Sequence, residues 1–339
     1  MSTTTELGGA ADQAAESVGD CIICLDDGGP PHPVQGGCAC RGAGGLAHTA
    51  CRISAAAHLC ESKGNSVWWE CGTCKQEYTG AVALELARAW CERVSGRPND
   101  DLERLNAARA LGLALKQHGK YDEAEVIQRE TWEISKRVRR VGHPHTLTCA
   151  GNLAMTLYSQ GKYEEAEGLE REVWATGKRV LGVDHPGTLT TAGNLAVTLF
   201  KQEKLDEAAV LQRETWATQK RVLGVDHPHT LRDAYHTANT LCKQGNPEEA
   251  EAILRATLPA QTRVLGEDHP WAMETAASLR NITATEGEEC RPSATTDSGG
   301  GGSGSGGGGD VDGSGGGSSR ANPNPTNGGS PLMRRRVDD

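Results

Sequence analysis

A six-residue phrase returns at a fixed interval through the middle of this chain. GHPHTL at 142 becomes DHPGTL at 184, DHPHTL at 226 and DHPWAM at 268, a step of 42 residues each time. Trp132, Trp174 and Trp216 keep the same interval, with Leu258 at the fourth place. So do GKYDEAE (119–125), GKYEEAE (161–167), EKLDEAA (203–209) and GNPEEAE (245–251). A period of this length, held over four copies, restricts the chain to stacked units, because one unit cannot bury its own apolar face.

Each copy reads as two helices. In the second, Asp184-His185-Pro186 predicts a capping aspartate followed by a proline tolerated in the first helical turn. An apolar helix from Leu189 to Phe200 follows and breaks at Gln202-Glu203-Lys204. A second helix is expected from Leu205 to Leu223, ending at Gly224. Ala154, Ala196 and Ala238, with Ala166, Ala208 and Ala250, are small enough to let neighbouring helices approach closely. The recurrent His143, His185, His227 and His269 are separated by whole units, cannot converge on one ion, and are read as turn residues.

The stretch NLAMTLYSQGKYEEAE (152–167) resembles the tetratricopeptide repeat, in the 42-residue form of kinesin light chains. Four units and a partial fifth then cover residues 99–285 as an all-α tetratricopeptide-type solenoid. The resemblance implies no chemistry in the array and an inner groove that binds a protein or peptide. By position, Asn152 and Asn194 match an asparagine that in many such repeats hydrogen-bonds a bound peptide backbone; His236 and Ala110 stand there in the fourth and first units. Met155, Lys201, Asn239 and Lys243 are the further groove candidates, together with Arg109, Thr148, Ser159, Thr190, Val197 and Tyr235. For each, a plain solvated helix face is the alternative. The lysines and arginines do not reproduce the clamp that such repeats use for the C-terminal carboxylates of chaperones.

The N-terminal region poses a different question. Eight of the twelve cysteines (Cys21, Cys24, Cys38, Cys40, Cys51, Cys60, Cys71 and Cys74) are crowded into it. The opening MSTTTELGGAADQAAESVGD has neither a basic head nor an apolar run, so it is not read as a secretory signal. No stretch approaches the roughly 20 apolar residues of a membrane span. The expectation is a cytoplasmic protein, with the nucleus as the alternative, in which thiols stay reduced and clustered cysteines point to metal. A net charge of −10 argues against a nucleic-acid binder that works through a basic surface.

Read from Cys21, the short-spaced pairs Cys21/Cys24, Cys38/Cys40, His48/Cys51 and Cys71/Cys74 make eight candidate ligands. Zinc takes four such ligands in a tetrahedron, so eight fill two closed sites and leave no position for a catalytic water. The expected cofactor is two structural Zn2+ ions. Pro30, Pro31, Pro33, Gly36, Gly37, Gly42, Gly44 and Gly45 preclude long elements in between. A segment so poor in apolar bulk depends on metal, worth on the order of 10–16 kcal/mol for a structural zinc.

The ligand order Cys-Cys-Cys-Cys-His-Cys-Cys-Cys, with one residue inside the second pair and seven before the histidine, resembles the RING-CH zinc finger, as do CACRG and CGTCKQEYTG. The resemblance implies a cross-brace: Cys21, Cys24, His48 and Cys51 on one zinc, Cys38, Cys40, Cys71 and Cys74 on the other. It also implies a ubiquitin ligase that holds a ubiquitin-loaded conjugating enzyme without a covalent intermediate and without catalytic residues of its own. Ile23 would then meet the conjugating enzyme, and Lys75 would bridge to ubiquitin. Two positions depart from the family: Ala55 stands where a tryptophan is common and Gly72 where a proline often follows the seventh ligand. The PHD finger, a histone-tail reader with the same ligand order, is favoured by Trp69 two residues before that ligand. Cys60 is read as a small buried thiol in preference to a nucleophile.

The expected organisation is a disordered start (1–18), a RING-CH-type finger (19–80), a connecting helix and linker (81–98), the repeats (99–285) and a disordered Gly/Ser-rich tail (286–339). Within the connector, Val82, Leu86, Trp90 and Val94 fall at steps of four and predict an apolar stripe seeking a neighbour. The whole reads as a ligase with a substrate groove, or as a non-enzymatic finger-and-repeat adaptor. Neither nucleic acid nor membrane is an expected partner.

Overall fold

The computed structural model describes residues 21–24, 34–35, 38, 40 and 46–284. The expectations for residues 1–18 and 286–339 lie outside them. Strands β1 (Val34–Gln35) and β2 (Leu46–Ala47) pair antiparallel, Val34 opposite Ala47 and Gln35 opposite Leu46. Helix α1 (Thr49–Lys63) starts directly after β2 and ends at Gly64, whose φ of 78° supplies the left-handed exit. A short 3-10 turn (Asn65–Trp68) and a bridge between Glu70 and Glu77 follow. Helix α2 (Gly80–Arg93) then leaves the finger.

Helix α2 is the joint of the molecule. The stripe Val82, Leu86, Trp90 and Val94 is buried throughout, and it forms one cluster with Ala56 and Trp68 on the finger side and Ala107 on the repeat side. Trp90 lies parallel to Trp68, with centroids 6.3 Å apart, and tilted against Trp69 at 5.4 Å. Its indole N–H donates to Glu103 at 3.4 Å, which settles the one polar atom of the ring. Leu84 and Ala87 pack with Ala114, Leu115 and Ala124 of the first repeat unit. An array of units needs its terminal apolar face covered; α2 covers it, in the place a preceding unit would take.

The repeats form four antiparallel helix pairs and one further helix. The pairs are α3 (Leu102–Gln117) with α4 (Tyr121–Arg139), α5 (Pro144–Ser159) with α6 (Tyr163–Val180), α7 (Pro186–Lys201) with α8 (Leu205–Val222), and α9 (Pro228–Lys243) with α10 (Pro247–Leu265). Helix α11 (Pro270–Ala284) opens a fifth unit. The alanines at the expected close approaches, Ala154, Ala196, Ala238, Ala166, Ala208 and Ala250, are all fully buried. Leucines fill the space around them, as with Leu153 and Leu157 in one unit and Leu195 and Leu199 in the next.

The helix starts correct one expectation. The cap of α7 is His185, not Asp184. In four successive units the histidine of the HP motif turns its Nδ1 back to accept the backbone N–H two residues on, at 3.0 to 3.2 Å. Asp184 is released from capping because Arg221 of the next unit binds its carboxylate, and Asp226 receives Arg263 in the same way at 2.8 Å. Other ion pairs tie successive outer helices: Lys162 to Glu125 and Lys204 to Glu167, both at 2.7 Å, and Arg171 to Glu207 at 2.6 Å. Such exposed pairs contribute only about 0–1 kcal/mol each and serve mainly to fix register. Lys136, Lys178 and Lys220 lie 3.4 to 3.7 Å over the rings of Trp132, Trp174 and Trp216, so the recurrent tryptophans carry a recurrent cation.

Candidate metal centres and the repeat groove

The eight ligand candidates reach their places through local structure. Cys21 and Cys24 sit on one tight turn. His48 follows β2 and caps α1 by its backbone alone, which leaves its ring free. Cys51 is in the first turn of α1. Cys71 and Cys74 occupy a turn closed by the Lys75 N–H to Cys71 carbonyl bond at 2.9 Å and the Cys71 N–H to Gln76 carbonyl bond at 2.8 Å. Lys75 itself takes a φ of 61°, the left-handed kink that lets the chain double back behind the two thiols.

These turns bring the candidates together in two groups of four. Cys21, Cys24, His48 and Cys51 form one, Cys38, Cys40, Cys71 and Cys74 the other, with the ligand atoms of each group within 4.8 Å of one another. His48 Nδ1 lies 3.3 Å from the Cys24 sulfur and 3.6 Å from that of Cys51. In the second group the Cys40 and Cys71 sulfurs are 3.7 Å apart. The groups are interleaved along the chain, since Cys38 and Cys40 precede His48 and Cys51 but join Cys71 and Cys74.

Their electrostatics suit a cation. Burial works against ionisation of Cys21, but the backbone N–H groups of Cys24, His48 and Ile23 bring its thiol down to about 6. Cys71 reaches about 6 in the same way, against burial, through the N–H groups of Cys74 and Thr73. Burial and the neighbouring Cys24 and Cys21 push Cys51 up to about 11, while hydrogen bonding to Cys74, followed by burial, pushes Cys40 up to about 12. In the second group the backbone N–H of Gln76 lowers Cys74 as well, while burial raises Cys38, so each group mixes thiols that ionise readily with thiols that resist it. Four soft donors converging in each group fit zinc or a comparable thiophilic ion, and the donor set excludes hard oxygen-seeking cations.

Around the groups, Ile23 is exposed, as is the Lys75 side chain, whose ammonium lies 3.7 Å from Glu70. Trp68 and Trp69 pack on Trp90 and form no open cage. Cys60 donates weakly to the Ala57 carbonyl, and His58 bonds the Ser54 carbonyl, so the two do not form a nucleophile–base pair. Arg52 went unnoticed in the sequence: it is buried on α1 and lies 5.5 Å over the ring of Tyr78, tying the two ligand-bearing turns. No local pattern announces that contact.

The groove candidates fall on the first helices of their units. Asn152 and Asn194 are half-buried at equivalent places on α5 and α7; Met155 on α5 and Lys201 on α7, at places that do not correspond, are half-buried too. Asn239 is buried. Lys243 is already engaged, bonding Glu203 at 2.6 Å and lying 4.7 Å over the Phe200 ring. Tyr235 is buried with its hydroxyl unpartnered, and Arg109 has a buried Nε in the same condition.

The tetratricopeptide-repeat family model matches residues 104–145, 146–187, 188–229 and 237–270. The chain therefore carries tetratricopeptide repeats, which are scaffolds for binding protein partners. Among solved structures it is similar to two crystal structures of a kinesin light chain with nearly identical TPR-like repeats from Podosopora anserina. The first, a single-substitution variant, is 20% identical with a TM-score of 0.48, covering 62% of this chain and 93% of that one. The second is 20% identical with a TM-score of 0.47, covering 64% and 98%. BtubC (BKLC) from P. vanneervenii is 19% identical with a TM-score of 0.46, covering 64% and 81%. No curated protein matches the chain. Among the described residues no helix is long and apolar enough to cross a membrane.

Proposed function

We propose that this chain is a RING-CH-type ubiquitin ligase, with a finger that docks a ubiquitin-loaded conjugating enzyme and a repeat groove that holds the protein to be modified. The observation that carries the reading is the interleaving of the ligand groups, Cys21, Cys24, His48 and Cys51 against Cys38, Cys40, Cys71 and Cys74. Two zinc ions held there would supply cohesion alone, because protein donors fill every position. Exposed Ile23 beside the first group and exposed Lys75 beside the second leave the surface that such an enzyme would need. The buried joint at α2 then acts as a rigid arm, fixing the distance from docked enzyme to captured substrate, which is catalysis by positioning.

The test is discharge of ubiquitin from a panel of loaded conjugating enzymes onto free lysine, using the full chain. Acceleration that is lost in Ile23→Ala, with zinc retained, supports the ligase. No acceleration with any enzyme overturns it. A second reading, a non-enzymatic adaptor, is favoured by Ala55 and Gly72, which stand where the family commonly has a tryptophan and a proline; a Cβ at Gly72 would meet only open space. In that case the finger and the groove each bind a protein and nothing is discharged.

A further inference from the structure

The turn that leads from one unit to the next has four copies: KRVLGVD stands at 178–184 and again at 220–226, and TRVLGED at 262–268 keeps its leucine, glycine and aspartate. The first copy, KRVRRVG at 136–142, departs at three places. Arg139 replaces Leu181 and Leu223, Arg140 replaces Gly182 and Gly224, and Gly142 replaces Asp184 and Asp226. Each change works against the fold. Leu181 packs on a repeat core, and an arginine there forgoes that contact. Arg140 has φ 71° and ψ 158°, a conformation that the other copies assign to glycine and that strains any side chain. Gly142 removes the acceptor that receives Arg221 and Arg263 in later units. A Cβ at Gly142 would meet Val180 Cγ2 at 3.0 Å, so the neighbouring Arg179 stands at this same turn, and among the described residues it forms no ion pair.

Three unfavourable changes that all add positive charge are not explained by packing. Two arginines are gained and one aspartate is lost, in a chain whose net charge is −10. Arg137, Arg140 and Arg179 are exposed, Arg139 is half-buried, and none of them has an ion pair among the described residues. Val141 and Val180 are exposed between them.

We infer that this turn is a docking site for an acidic segment of a partner protein, its carboxylates meeting Arg139, Arg140 and Arg179 and its apolar side chains covering Val141 and Val180. Arginine clusters bind carboxylates by bidentate charge-assisted bonds. The patch spans only one helix end, and the rest of the chain is acidic. An extended polyphosphate would be repelled over most of its length, whereas a short carboxylate-rich segment is not. The site lies at the end of a second helix, apart from the groove positions on the first helices.

The experiment restores the repeat consensus in the full chain, as the triple variant R139L/R140G/G142D. Because it copies the other units, it is expected to fold, with the Val180 side chain giving a few tenths of an ångström to admit the new Cβ at position 142. The probe is a fluorescent peptide of alternating glutamate and valine, followed by anisotropy. Wild type should bind it in a salt-weakened manner, and the triple variant about tenfold or more weaker. R213Q, on another outer helix, should bind as the wild type does. No binding by the wild type, equal binding by the triple variant, or loss in R213Q alike would each overturn the proposal. Tighter binding of a single-stranded oligonucleotide of matched charge would overturn the choice of partner.

Discussion

At the scale of the residue, the repeat positions expose which side chains are at odds with their surroundings. Glu170 is the sharpest case. Gln128 and Gln212 hold the equivalent places, and Glu170 is buried with one carboxyl oxygen unpartnered. Burial raises its acid to about 8. At low pH the proton is bound in folded and unfolded chains alike; from the ordinary carboxylate range up to about 8 only the unfolded chain releases it. Stability therefore falls as pH rises through that window and levels off above it. Glu170→Gln is expected to remove the slope and to stabilise the protein by roughly 3 kcal/mol at slightly alkaline pH, read from urea midpoints across the window. The capping histidines make a second residue-scale case. His185→Ala should cost about 1 kcal/mol, and His185→Asn should restore most of it, since a side-chain acceptor is all the cap requires. An alanine variant as stable as the wild type would show that the Nδ1 bond contributes nothing. The sequence pointed to Asp184 because aspartate is the better cap in isolation; its capture by Arg221, 37 residues away, has no local signature.

At the scale of the element, α2 carries the longest consequences. Its apolar stripe was legible as four residues at steps of four, and so was the need for a neighbour. Which neighbours it finds was not, because the Trp68–Trp90 stack and the Trp90–Glu103 bond join segments with no shared pattern. Trp90→Ala is expected to cost about 3–5 kcal/mol and to separate the finger from the array. Hydrogen exchange in α3 should rise sharply while α7 to α10 remain protected; unchanged exchange in α3 would mean the joint is not structural. The helix pairs themselves were readable almost to their ends. Gly161 and Gly245 mark the tight turn inside a pair, and Glu203 holds the same left-handed place at φ 59°, which a Gly-based reading of turns passes over.

At the scale of the whole molecule, two modules of different physical origin are joined. The array is held by leucine and alanine cores repeated unit by unit, whereas the finger shares one apolar cluster with α2 and gathers two groups of side chains that could hold metal ions. The four short-spaced pairs were legible from spacing, and their division into two groups was what the family resemblance implied; Arg52 over Tyr78, which braces the turns, was legible from neither. Chelation of metal is expected to unravel the finger and leave the helical signal of the array nearly intact, as followed by circular dichroism. Loss of both together would show the array to depend on the finger. The most direct measurement is the metal count of the full chain by native mass spectrometry. Two zinc ions are expected in the wild type, one in Cys24→Ser, one in Cys71→Ser and none when the two substitutions are combined. One ion or none in the wild type, or no further loss in the double variant, would contradict two interleaved centres.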